Sequence, residues 1–448
     1  MKIRLFAFAT FALYANWGYS QSILENYIQE GFTNNQSIRQ QHIALEKSIY
    51  ALKEAKTLFL PKVAFQTDYF LAGGGRTVDF PAGDLLNPVY GTLNQLTNSN
   101  NYPQLENESI LLNPNDFYDA KFRTTLPLLN MEIAYNKRIK QEQVSMQQVE
   151  IDLYKRELAK EIKQAYFQYL QAVHAIKIYE SALELVSENK RINESLFKND
   201  KVNRTVLFRA DNEIARYKAL LENSRQNTRS ARAYFNFLLN RTLTDSILID
   251  DSYKDIVLAI REENTVSQLE ELQKLSIASS INEQVEGLSQ SFIIPKVSTF
   301  LDLGSQGFDW QFNNKTRYYF FGVSLQWELF SSGKNTYKVK QVQLENQIIQ
   351  SQTDYVENQL ELHLTTAINS YRASLADYES AVTAFGTAQQ YYSDMEKMYK
   401  EGQAIFIELL DAQNQRIHAE LQLNISLFGT YIKAAEIERA NATFNLNK

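Results

Sequence analysis

The sequence predicts a mainly α-helical fold with a β-barrel portion, in which one unit of a strand hairpin and a long helical hairpin occurs twice. Residues 60–63 (LPKV) recur as residues 294–297 (IPKV), and residues 197–200 (FKND) align with residues 399–402 (YKEG) at a shift of 202 positions. In addition, residues 128–286 contain neither proline nor glycine. A compact domain of that length would need turns that recruit those residues, so long helices are the simpler explanation.

The first twenty residues have the order of a secretory signal peptide. Lys2 and Arg4 precede an apolar run, and small residues follow before Gln21. The apolar run is too short to span a bilayer, and no later segment supplies the roughly 20 apolar residues of a transmembrane helix. The chain has no cysteine, which excludes disulfides and lipid attachment to a cysteine. We therefore expect a periplasmic protein, a secreted protein or an outer-membrane β-barrel.

The two repeats are expected to cover residues 21–245 and 246–448. The first should contain an N-terminal helix, strands at about 61–71 and 118–129, an extracellular loop at 71–117 and a helical hairpin whose tip lies at about 198–205. The second should contain strands at about 295–304 and 317–330 and a hairpin tip at about 400–407. The loop has four prolines and eight asparagines, which predicts irregular structure, with a disordered insertion as the alternative.

The strands are recognised by their two-residue period. Between Tyr319 and Leu329 every second residue is apolar or aromatic, and the interleaved positions from Gly322 to Glu328 are small or polar. This pattern fits a lipid-facing barrel strand, and a soluble sandwich strand is the alternative. Because a transmembrane barrel needs about eight strands, four strands per chain predict that several chains contribute to one barrel.

The helices are recognised by a heptad pattern. In the second repeat one set of positions is mostly small (Leu360, Ala367, Ser374, Ala381, Ala388, Met395) and the other is mostly aromatic (Leu364, Tyr371, Tyr378, Phe385, Tyr392, Tyr399). The corresponding positions of the first repeat keep the pattern until Lys190 and Asn193. A strict 3.5-residue period predicts coiled-coil packing. Each helix is expected at about 133–198 or 335–400, roughly 100 Å of rise, which suits a protein that spans a periplasm.

Several function classes are excluded by composition and spacing. The net charge is −6, and loss of Lys2 and Arg4 with the signal peptide makes it −8, which argues against a nucleic-acid partner. The four histidines are scattered, without a second ligand at metal spacing. No nucleophile elbow or phosphate loop is present. We therefore expect no enzyme activity, no cofactor and no metal.

The order of these elements resembles the TolC-like outer-membrane efflux proteins (outer membrane factors). The resemblance covers nearly all of the mature chain and includes residues 327–334 (WELFSSGK), 399–404 (YKEGQA) and 408–413 (ELLDAQ). It implies a homotrimer in which twelve strands form one outer-membrane barrel, continued by twelve helices as a periplasmic α-helical barrel. It also implies a tunnel closed at rest near the helix tips, which bind a periplasmic adaptor (membrane fusion protein) that connects to an inner-membrane pump.

The resemblance also assigns candidate site residues. Tyr399 matches a tyrosine that holds the entrance closed, and Glu408 and Asp411 match acidic positions around the entrance; an ordinary acidic first turn is the alternative for the two carboxylates. Ala404 stands where the family commonly has a basic residue, and Asp200 and Glu132 stand where glycine is usual. The expected adaptor contacts, which would equally suit plain turns between helices, are Asn199, Asp200, Lys201, Val202, Gly402, Gln403, Ala404 and Ile405.

These observations favour the passive outer-membrane channel of a tripartite efflux or type I secretion system in a Gram-negative bacterium. One alternative is a secreted or periplasmic coiled-coil structural protein. Another is a periplasmic adaptor, although the two repeats leave no room for compact β-domains. Only the second hairpin has the Glu408 and Asp411 pair, so we expect the second hairpin to be the moving gate and the first to be stationary.

Overall fold

The computed structural model describes residues 23–113, 115–250, 252–253 and 269–446. The predicted signal peptide, residues 1–20, lies outside the described residues. Among the described helices, none combines the length and the apolarity needed to cross a membrane. The described residues divide into two compact units: those within 1–48, 144–279 and 347–448 form unit 1, and those within 49–143 and 280–346 form unit 2. Each unit therefore draws on both sequence repeats.

Helices make up most of the described chain. The helices are α1 (Ile23–Asn34), α2 (Gln36–Thr57), α3 (Ala82–Thr97), α4 (Met131–Lys198), α5 (Arg204–Leu238), α6 (Glu270–Gln290), α7 (Lys334–Lys400) and α8 (Phe406–Ala440). Two helices, α4 with 68 residues and α7 with 67, exceed the rest. The first lies in the stretch free of proline and glycine, whereas α7 contains Gly386. Each of these two long helices is followed by a 35-residue helix, α5 or α8.

The N-terminal region differs from the single helix that was expected. It forms α1 and α2, which are separated at Asn35. The Asn35 side-chain oxygen accepts hydrogen bonds from the backbone N–H groups of Ser37 (2.9 Å) and Ile38 (3.3 Å). Asparagine is a favoured N-cap because it satisfies such orphan donors, so the break follows from local capping.

A four-stranded antiparallel sheet forms the centre of unit 2. Its strands are β1 (Lys62–Phe70), β4 (Phe117–Leu129), β5 (Lys296–Phe308) and β6 (Arg317–Gln326), in the spatial order β1-β4-β5-β6. These four strands lie near the positions predicted from the sequence. However, β6 ends at Gln326, so residues 327–330, which were predicted to belong to it, do not extend it. The sheet is open, and β1 and β6 are its two edges.

The segment at 71–117 is more ordered than the irregular loop that was expected. It contains α3 and a two-stranded sheet formed by β2 (Thr77–Phe80) and β3 (Glu108–Leu111). Asparagines connect these elements: Asn87 exchanges hydrogen bonds with the backbone of Leu105 at 2.7 and 2.9 Å, and Asn94 does the same with Tyr102. The asparagines that suggested irregularity are therefore the residues that hold the segment together.

The transitions from strand to long helix use different residues in the two repeats. Before α7, Gly333 adopts a φ of 81°, a left-handed conformation that favours glycine. Before α4, the Asn130 side chain instead accepts a hydrogen bond from the Glu132 N–H at 3.0 Å. Glu132 replaces the usual glycine because Asn130 supplies a side-chain cap, and its own carboxylate pairs with Lys296 at 2.8 Å.

The main hydrophobic core of unit 1 lies where α1, α4, α5 and α8 pack together. Its fully buried large side chains are Ile28, Leu158, Ile162, Tyr166, Leu170, Phe235, Leu239 and Phe428. Aromatic contacts join the helices, for example the stacked rings of Phe167 and Tyr431 at 4.9 Å. Close to this core, Arg156 is almost fully buried and pairs with Glu270 through both carboxylate oxygens.

Candidate functional site at the helix tips

The two turns at the ends of the hairpins have the same backbone geometry. In the first, the N–H of Lys201 donates to the carbonyl of Leu196 at 2.9 Å, and in the second the N–H of Gln403 donates to the carbonyl of Met398 at 2.8 Å. These bonds belong to Schellman C-caps, which place one residue in the left-handed region. That residue is Asp200 in the first turn (φ 55°) and Gly402 in the second (φ 77°).

The returning helices are capped in different ways. Asn203 is the N-cap of α5, and its side-chain oxygen accepts from the N–H of Thr205 at 3.0 Å. The equivalent residue before α8 is Ile405, whose side chain has no acceptor. There the carboxylate of Glu408 accepts from the N–H of Ile405 at 3.0 Å. Glu408 therefore caps the start of α8 in the second tip, as Asn203 caps the start of α5 in the first.

Glu408 and Asp411 lie one turn apart on the exposed surface of α8. The Asp411 carboxylate accepts a hydrogen bond from the Gln415 amide at 2.7 Å. Neither carboxylate has an ion-pair partner among the residues that the structure describes. Each of them therefore keeps its negative charge available at the surface of the second hairpin.

Tyr399 is buried in a small core that fills the space between the four helix ends. It is 8% exposed, and its ring lies 6.0 Å from that of Phe406. Burial raises the pKa of the Tyr399 hydroxyl. The buried members of this tip core are Ala210, Tyr392, Met395, Tyr399, Phe406, Leu409 and Ala412.

A buried polar network connects three of these helices, and we refer to it as the tip network. The Tyr399 hydroxyl on α7 donates to the side-chain oxygen of Asn193 on α4, which is fully buried. Asn193 donates to the backbone carbonyl of Asn189 at 2.7 Å, and Asn189 donates to Gln413 on α8. Buried hydrogen bonds of this kind are costly to break, because each lost partner leaves a desolvated polar group.

The first hairpin has no equivalent of Tyr399. At the corresponding position stands Phe197, which is 37% exposed and has no hydroxyl. Nearby, Lys190 on α4 instead pairs with Asp211 on α5 at 2.7 Å. The first hairpin is therefore joined internally by a surface ion pair, whereas the buried hydrogen bonds of Tyr399 and Gln413 join the second hairpin to α4 of the first.

The remaining tip residues lie at the ends of the turns. Asn199, Asp200, Lys201, Gly402, Gln403 and Ile405 are exposed, and Val202 and Ala404 are half-buried. Ala404 packs against the tip core. Its methyl group makes a purely apolar contact, so the position that is commonly basic in TolC-like proteins supplies no charge here.

Sequence reasoning missed Asn189, Asn193 and Gln413. A signal was available for Asn193, because it occupies a heptad position that is apolar in the rest of the ladder. No such signal was available for Gln413, because its carbon chain and its polarity both suit an ordinary helix surface. Within the described ranges, no group of three or more histidine, aspartate or glutamate side chains could hold a metal ion.

Comparison with solved structures identifies the fold. CusC aligns with a TM-score of 0.77 at 12% identity over 96% of this chain and 95% of its own. The CmeC outer-membrane channel of Campylobacter jejuni gives 0.74 at 13% identity over 95% and 87%. The MtrE outer-membrane channel of Neisseria gonorrhoeae in its open state gives 0.75 at 14% identity over 93% and 88%.

No protein-family model and no curated protein matches the sequence. The similarity is therefore one of structure, and it extends over almost the whole length of each chain. CmeC and MtrE are described as outer-membrane channels, and CusC is described as forming a transmembrane channel. The chain has the fold of outer-membrane channels, and the resemblance to the TolC-like outer-membrane efflux proteins is confirmed.

Proposed function

We propose that the protein is the outer-membrane exit duct of a tripartite efflux or type I secretion system. Transport through it is passive, with energy supplied by an inner-membrane pump. The observation that carries the proposal is the exposed apolar face of the sheet, in a chain that also has two long helical hairpins. The fold shared with CusC, CmeC and MtrE supports the same function.

The two faces of the sheet differ in chemistry. The strand register places Arg123 opposite Asp302, and their side chains form a bidentate pair at 2.6 and 2.7 Å. On the other face, Phe321, Val323 and Leu325 are 66%, 62% and 63% exposed. Soluble proteins rarely expose such a continuous apolar patch, whereas a barrel in a membrane turns it toward lipid.

The open edges of the sheet favour assembly. Unpaired N–H and C=O groups cannot remain in a bilayer, so β1 and β6 need partners. Neighbouring strands alternate in direction, so β6 of one copy can pair antiparallel with β1 of the next. Three copies supply a twelve-strand outer-membrane barrel, and their helices α4, α5, α7 and α8 supply a twelve-helix barrel in the periplasm.

The helix tips form the periplasmic entrance in this proposal. Tyr399, Glu408 and Asp411 control the entrance, and the eight tip residues from Asn199 to Val202 and from Gly402 to Ile405 contact the adaptor. The second hairpin moves and the first is stationary. The tip network supports this assignment, because it provides breakable bonds between α7 and α4 where Ala404 provides no ionic latch.

A secreted coiled-coil structural protein is the competing function. Such a protein would leave the apolar face of the sheet in water. Among the described residues, no feature favours it over a channel. Fractionation of cell envelopes separates the two functions. We expect the full-length protein in the outer membrane, as a cross-linkable trimer whose electrophoretic mobility changes on heating. A soluble, monomeric protein without conductance in planar bilayers would refute the proposed function.

A further inference from the structure

The apolar face of the sheet contains a groove of about 660 Å³ near its 309–316 turn. Its floor is a row of cross-strand neighbours with small side chains, Thr67, Ala120 and Ser305, one from each of β1, β4 and β5. The next row consists of large side chains, Phe65, Phe122 and Leu303, which form one wall. The groove exists because a row of small residues lies beside a row of large ones.

The opposite wall comes from the turn between β5 and β6, which folds back over the same face. Trp310 stacks on Tyr118 at 5.2 Å and on Tyr69 at 5.3 Å. The Tyr118 hydroxyl donates to the carbonyl of Gln311 at 2.8 Å and fixes the turn. Phe312 lies 4.7 Å from the Tyr118 ring and remains 63% exposed. Both walls are therefore apolar and rigidly placed.

One end of the groove carries positive charge. The row of small residues ends on β6 at Arg317, the neighbour of Ser305, and Lys315 is two residues away in the turn. Both are exposed, and in the described part of the chain neither side chain has an ion-pair partner. From Thr67 to Arg317 the groove crosses four strands, a distance of roughly 14 Å.

We infer that this groove is a binding site for a membrane lipid with a phosphorylated headgroup. The inference rests on the proposed function, because it requires the apolar face to lie in a membrane. An acyl chain lies in the groove between the Phe122 and Trp310 walls. The phosphate lies at the β6 end, where Arg317 and Lys315 donate charge-assisted hydrogen bonds to it.

The arrangement goes beyond a general preference of aromatic residues for the membrane surface. Aromatic belts need only rings at the right depth. Here, the rings enclose a groove, and the groove has a defined cationic end at Arg317 and Lys315. A lipid without a phosphate would fill the groove but leave both cations unpaired, so the site should select for the phosphate.

Native mass spectrometry of the detergent-solubilised full-length protein tests the inference with two lipids of identical acyl chains. We expect dioleoyl phosphatidic acid to bind about tenfold more tightly than dioleoylglycerol, the difference expected from a charge-assisted pair. Inorganic phosphate should not compete at equal concentration, because it cannot use the groove. Competition by inorganic phosphate would overturn the lipid site in favour of a plain anion site.

Three variants complete the test. Arg317→Gln with Lys315→Gln should remove the preference for the lipid with a phosphate. Ala120→Phe should weaken the binding of both lipids, because the phenylalanine ring fills the groove. The matched control is Lys62→Gln, which removes an exposed cation from β1 and should change neither affinity. Equal binding of both lipids by the unmodified protein, or an unchanged preference in the double variant, overturns the inference. If conductance in planar bilayers persists in that case, the proposed function stands without the lipid site.

Discussion

In the proposed channel, the tip network makes the closed entrance sensitive to a single oxygen atom. Tyr399→Phe removes the hydroxyl that donates to Asn193 and keeps the ring that packs against Phe406. The Asn193 oxygen is then left without that donor in a site where the residue has no exposed surface. We expect the variant to favour opening, because separation of α7 from α4 no longer breaks this bond.

The magnitude follows from the burial of the bond. A buried hydrogen bond between neutral groups contributes about 1 kcal/mol net, which is about a fivefold change in an equilibrium constant. Three copies that open in concert multiply this factor, so the ratio of open to closed channels should rise by roughly 100-fold or more. Independent opening of each subunit would give about fivefold per subunit.

Single-channel recording in planar bilayers measures the open fraction directly. The control is Tyr391→Phe, which removes a hydroxyl from the same helix at a position that is 39% exposed. We expect Tyr391→Phe to behave like the unmodified protein. An open fraction for Tyr399→Phe that matches this control would refute the argument that the tip network holds the entrance closed.

Three further predictions concern charge, pH and buried ion pairs. Glu408→Gln with Asp411→Asn keeps both hydrogen-bond acceptors and removes both charges, so cation selectivity in planar bilayers should fall without loss of thermal stability. Glu408→Ala also removes the cap of α8, so it should in addition lower the free energy of unfolding by about 1 kcal/mol. Burial raises the pKa of Tyr217 to about 12. The stabilising contribution of the neutral Tyr217 hydroxyl is therefore complete below about pH 10 and is lost as the pH rises toward 12. Because Tyr217→Phe removes this titration, it should flatten the alkaline loss of melting temperature measured by circular dichroism. Arg156→Met leaves Glu270 buried without its cation, which should cost about 3–5 kcal/mol in chemical denaturation, and adding Glu270→Leu should recover much of that loss.

Each of these expectations has an opposite outcome. Unchanged selectivity in the charge-free double variant would show that the carboxylates of Glu408 and Asp411 act only within α8. An equal alkaline slope with and without the Tyr217 hydroxyl would assign that slope to other groups. A double variant as unstable as Arg156→Met alone would show that the side chain, and not the unpaired charge of Glu270, is what the core requires.

Local patterns of the sequence predicted much of the fold. The absence of proline and glycine from residues 128–286 predicted long helices there, the heptads and the 202-position repeat predicted α4 and α7 nearly to their ends, and the two-residue period predicted the faces of β6. The segment at 71–117 is more ordered than its composition suggested, because the side chains of Asn87 and Asn94 bond to backbone carbonyls 18 and 8 residues further along the chain. Composition indicates which residues can form turns, but it does not identify the hydrogen-bond partners of those residues.

By itself, the sequence predicted the element types from local periods and the duplication from repeated motifs, and the resemblance to TolC-like proteins supplied the candidate residues Tyr399, Glu408 and Asp411. The tertiary structure decided what those residues contact. The partner of Tyr399 is 206 positions away in the chain, and the groove below Trp310 combines four strands from both repeats. Hydrogen bonds and grooves depend on distances of a few ångströms between remote segments, and packing of the whole chain sets those distances.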